Sequence, residues 1–209
     1  NNLSGTTVVS NENEIADTSV ITFQGGNGYD AGVFRLNNQS ETIGGVQSST
    51  AGDGLIENNS STLGASMLTL STAAGSNYTF SGLVQDRDNS NTGAKFGTLG
   101  VTVTGSGTQT FSNANTYTGG TTIGDGLGST ASFYANNAGT GGSATGTGPL
   151  TLNAGATLGG VGSINSTINT INGKVMVGMA NAADTNTTNI LTMTATGSTT
   201  STNANLAFH

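Results

Sequence analysis

The chain has 209 residues, no cysteine, 34 glycines and a net charge of −7 from 4 basic and 11 acidic side chains. So few Lys and Arg argue against a nucleic-acid partner, whose phosphates call for them, and no cysteine with one histidine argues against a zinc site. No apolar run approaches the roughly 20 residues of a membrane-spanning helix, so this segment is expected not to span a bilayer, and no window carries a 3.6-residue apolar stripe with charges opposite.

Thr, Ser, Asn and Gly make up more than half of the chain. Threonine favours strands, while glycine and asparagine favour turns. Short apolar runs alternating with polar residues predict strands at 6–9, 19–23, 33–36, 67–70, 99–104, 150–152 and 190–194. Four triplets share one pattern: Leu68-Thr69-Leu70, Val101-Thr102-Val103, Leu150-Thr151-Leu152 and Leu191-Thr192-Met193. Each places two aliphatics on one face and a threonine on the other, as a half-buried strand requires. Between them lie turn signals such as Gly105-Ser106-Gly107, Gly119-Gly120 and Gly124-Asp125-Gly126, and 136–148 reads as a loop. The pattern predicts an all-β chain. A solenoid fits best, with a β-sandwich as the alternative.

From Glu41 onward the sequence resembles the passenger domains of autotransporters, specifically their β-strand repeats. The stretch Gly105-Ser106-Gly107-Thr108-Gln109-Thr110-Phe111-Ser112-Asn113-Ala114-Asn115-Thr116-Tyr117-Thr118-Gly119-Gly120-Thr121 carries it, a Gly-x-Gly-Thr strand followed by Asn-Thr-Tyr-x-Gly-Gly-Thr. The stretch from Gly148-Pro149-Leu150 to Gly159-Gly160 is similar to the rung that usually follows. The resemblance implies a right-handed parallel β-helix displayed outside the bacterial cell. Residues 1–40 are then an N-terminal β segment, first rungs or a cap, and 41–209 the repeat-like β-helix. At roughly 20–25 residues per rung, about nine rungs are expected, with inward Val, Leu, Ile and Met as an aliphatic core.

Candidate chemistry is sparse. Asp86-Arg87-Asp88-Asn89 groups several oxygens, so Asp86, Asp88 and Asn89 are the candidate calcium ligands, with Asp53-Gly54 or Asp125-Gly126 as further oxygen donors, although Asp and Asn also build plain turns. No other cofactor is expected. A polysaccharide-acting site would need carboxylates gathered with a basic group, and Glu12, Glu14, Asp17, Asp30 and Asp53 with Arg35 are the set to watch. A serine-protease triad needs a histidine base, and His209 is the last residue. Thr102/Thr104, Thr108/Thr110 and Thr192/Thr194/Thr196 could seed an ice-binding face, but their uneven spacing argues against a lattice match. The expected role is a non-enzymatic structural and adhesive stalk meeting a host surface or polysaccharide. An alternative role is a subunit joining end to end into a filament.

Overall fold

The computed structural model describes residues 2–24, 32–86, 97–137, 142–178, 190–195 and 205–208. Among them there is no helix, and all strand-to-strand ladders are parallel. The strands recur in cyclic order on three walls, which makes the chain a parallel β-helix. The first wall holds β1 (Asn2–Leu3), β3 (Val20–Phe23), β6 (Gly45–Ser48), β9 (Asn77–Phe80), β12 (Thr108–Phe111), β14 (Ser132–Ala135), β16 (Thr157–Gly160), β19 (Lys174–Val177) and β21 (Asn205–Phe208). The second holds β2 (Thr6–Val8), β4 (Val33–Arg35), β7 (Leu55–Glu57), β10 (Leu83–Gln85), β17 (Ser163–Ser166) and β20 (Thr192–Ala195). The third holds β5 (Glu41–Ile43), β8 (Ala65–Thr72), β11 (Thr98–Gly105), β13 (Thr121–Ile123), β15 (Leu150–Leu152) and β18 (Ile168–Ile171).

Alternation explains the third wall. Leu68, Leu70, Val101, Val103, Ile123, Leu150 and Leu152 point inward and are buried. The threonine between each aliphatic pair stays half-buried on the outside. Parallel pairing then stacks Thr42, Thr69, Thr102, Thr122, Thr151 and Thr170 on six successive strands, one per rung. The spacing of these residues along the sequence is uneven, yet they fall in register, with one shift between Leu150 and Thr151. Extra residues go into the corners. The fourth triplet does not join this wall, because β20 pairs with β17.

The core is not purely aliphatic. Phe23, Phe80, Phe111 and Phe133 form a buried column with ring centroids 5.0, 5.9 and 5.2 Å apart. Such contacts stabilise by about 0.5–1.5 kcal/mol each beyond burial.

Among the described residues the first and second walls each contain a seam where no backbone ladder joins neighbours. Between β6 and β9, Tyr78 packs where a side chain at residue 45 would stand, and a Cβ on Gly45 would lie 2.3 Å from its ring. Gln109 closes this seam from inside the core: its Oε1 accepts from Val46 N–H at 3.1 Å and its Nε2 donates to Val46 O at 2.9 Å. On the third wall no strand precedes β5 among the described residues. Instead the preceding loop crosses its edge, where the buried Glu41 carboxylate accepts the N–H groups of Glu14 and Ile15.

Candidate functional site

The richest polar constellation is the corner leading from the second wall to the third. Asn38, Asn58, Asp86 and Thr118 occupy it on successive rungs. Asn37, Asn38 and Asn59 adopt positive φ here, a conformation asparagine tolerates better than most residues. Asn58 is fully buried; its Oδ1 accepts from Asn38 N–H at 2.6 Å and its Nδ2 donates to Thr98 O at 3.0 Å. Asp86 Oδ1 accepts from the N–H groups of Leu99 and Thr118 at 2.8 and 2.9 Å, and its Oδ2 from the Thr118 hydroxyl at 2.6 Å. The carboxylate thereby takes the place of carbonyls that an irregular corner cannot supply.

The Asn-Thr-Tyr-x-Gly-Gly-Thr motif continues this work one rung further. Asn115 Oδ1 accepts from Val84 N–H at 2.8 Å, its Nδ2 donates to Ala144 O at 2.7 Å, and its own N–H donates to Ser143 O at 2.8 Å. One buried asparagine thus joins three rungs of the second wall where strands are missing. Tyr117 is buried with its hydroxyl 2.6 Å from that of Thr121, which donates to Thr145 O. Burial pushes the Tyr117 phenol well above its usual range, so it is a neutral hydrogen-bonding group. Gly119 lets the chain return tightly; a Cβ there would lie 2.6 Å from the Gly100 nitrogen and the Leu99 carbonyl.

Asp88, Asn89, Asp30 and His209 lie outside the described residues. Arg35 pairs with Glu57 through Nε–Oε1 at 2.6 Å, and Gln85 Nε2 donates to the other Glu57 oxygen at 3.1 Å, a polar ladder on the second wall. Glu14 instead binds Ser10 and Asn11 locally; these bonds, led by the Ser10 N–H, lower its carboxyl pKa to about 2. Asp125 accepts from the N–H groups of Leu127 and Ser129, which hold its carboxyl below the usual range. Asp53 is fully buried and neither carboxylate oxygen has a hydrogen-bond partner. Among the described residues no three His, Cys, Asp or Glu side chains gather as a metal group.

Sequence reasoning passed over Gln109, Asn115 and Glu41 as physical groups. Gln109 lay between Thr108 and Thr110, which read as an outward face, yet its parity with Phe111 turns it inward.

Fold and corner together define a parallel β-helix whose rungs are tied by buried side-chain amides and carboxylates. Residues 101–127, which include the end of β11, all of β12 and β13 and the Asn115–Thr121 motif, match the passenger-associated transport repeat. The resemblance to autotransporter passengers thus has an independent footing, and it supports a passenger-like segment of a surface protein. No curated protein matches the chain, and no solved structure does. No helix among the described residues is long and apolar enough to cross a membrane.

Proposed function

We propose that this segment is a rigid structural and adhesive shaft of a bacterial surface protein, held outside the cell and without a catalytic role. The observation that carries this reading is the use of the buried polar groups. Buried Asn58, Gln109, Asn115 and Thr121, with half-buried Asp86, spend their hydrogen bonds on the backbone of other rungs. A catalytic site would keep such groups free for substrate. Contact with a host surface or polysaccharide falls to the exposed walls and corner loops. Binding of the fluorescently labelled chain to host cells and to a glycan array tests the adhesive part. Saturable binding supports it; no binding to either leaves a spacer and removes adhesion from the reading.

One observation favours a second reading, end-to-end assembly. At the N-terminal end β1 and β2 are outermost in their sheets, and Val8 is half exposed. Beside them a cavity of about 190 Å³ is lined by Asn2, Leu3, Thr7, Ile15, Ile21 and Phe34. An apolar recess beside an exposed valine can receive an apolar segment of a second copy, and a head-to-tail contact that does not close produces filaments. Analytical ultracentrifugation and electron microscopy of the 209-residue chain decide it. Concentration-dependent rods support assembly, and a monomer at high concentration excludes it.

A further inference from the structure

Asp53 ends the corner between β6 and β7. Its N–H donates to Thr50 O at 3.2 Å, and its carbonyl accepts from the Ser48 hydroxyl at 2.6 Å. Its side chain is 0% exposed, and no donor reaches either oxygen. Arg35, the basic side chain on the same wall, is taken by Glu57. An ionised carboxylate buried without partners is costly enough that proteins pair it, neutralise it or place a metal against it. Neutralisation alone does not satisfy this group, because a protonated carboxyl carries an O–H that needs an acceptor.

We propose that Asp53 is the anchoring ligand of a buried site for a hard divalent cation of the calcium class. The chemistry of the corner selects that class. Its polar side chains, Ser48, Thr50, Asp53 and Ser81, offer only oxygen, as do its carbonyls, and oxygen sets favour calcium or magnesium over softer metals. The corner is irregular, which suits calcium's flexible coordination better than the strict octahedron of magnesium. The backbone also closes tightly here. A Cβ on Gly54 would lie 2.5 Å from the Phe23 ring, and one on Gly82 would lie 2.5 Å from Asp53 O. Ser81 pins the turn from the next rung, donating to Thr50 O and accepting from Gly52 N–H. The inference does not depend on the passenger reading.

The test uses the full chain stripped with EDTA, then titrated with calcium chloride and, separately, magnesium chloride. Calcium at a hundredfold excess over its dissociation constant should raise Tm by roughly 5–10 °C, with one ion bound per chain by calorimetry. Asp53→Asn should abolish the shift. Asp125→Asn, in an exposed loop, should leave the shift intact. Manganese should broaden the amide signals of Gly52, Asp53 and Gly54 in the unmodified chain, a readout that stands even if Asp53→Asn does not fold. Absence of binding would mean a neutral acid or a buried water and would overturn the proposal. So would a calcium shift that persists in Asp53→Asn, or broadening confined to other residues.

Discussion

The second and third walls solve the same stacking problem differently. The third wall runs through six strands from β5 to β18, with a single register shift between Leu150 and Thr151. Its backbone ladders are continuous, and its outer threonines contribute only side-chain neighbours. The second wall breaks after β10 and resumes at β17. Across the break Asn115 and the backbone of 143–144 replace strands, and Ala144 N–H reaches Ser163 O at 2.9 Å. A regular wall spreads its stability over many equivalent bonds, whereas a seam concentrates it in one side chain. Substitutions of similar size should therefore have very different effects.

The largest effect is expected at the seam. Asn115→Ala strips partners from two buried backbone groups, each costing about 1–3 kcal/mol when left unsatisfied, so chemical denaturation should show a loss of about 2–4 kcal/mol. A loss below about 1 kcal/mol, the worth of one ordinary hydrogen bond, would show that the seam is held some other way. Tyr117→Phe removes only the hydroxyl bonded to Thr121, whose own bond to Thr145 O survives, and should cost about 1 kcal/mol. Thr102→Ala, in the middle of the threonine column, should cost about 0.2–1 kcal/mol in the same assay, the scale of a cross-strand pair. An effect there as large as at Asn115 would erase the contrast between the walls. The smallest effect is the acid response of the first loop. The Glu14 carboxyl is depressed in the folded chain from 4.5 to about 2. Its contribution is present above the unfolded value and is lost as pH falls through about 2. NMR titration should find Glu14 still ionised at pH 3.

The same contrast sets how much was legible in the sequence. Alternating aliphatics announced the third wall, and strands expected at 67–70, 99–104 and 150–152 coincide with β8, β11 and β15. Members lacking the aliphatic–Thr–aliphatic form were harder to see. Glu41 opens β5 and Thr121 opens β13, and a buried carboxylate or hydroxyl does not look like core. The seams were not legible, because asparagine in a Gly- and Thr-rich stretch signals a turn. Whether its amide faces solvent or two rungs depends on stacking that no local pattern encodes. Asp86 shows the same limit. Nothing in its spacing announced that its carboxylate accepts three hydrogen bonds from Leu99 and Thr118.

The corners have a consequence for how the molecule breaks. Leu127 stands 91% exposed on a loop fixed by the Asp125 carboxylate, while β13 and β14 on either side are bonded to rungs above and below. Covalent continuity at that point adds little to cohesion. A protease that prefers leucine should nick the chain there and at Leu63, which is 83% exposed, giving shorter bands on a denaturing gel and one particle of unchanged size on a sizing column. The molecule would behave like a laid rope, in which a severed yarn is still gripped by its neighbours, and damage would accumulate without shortening it.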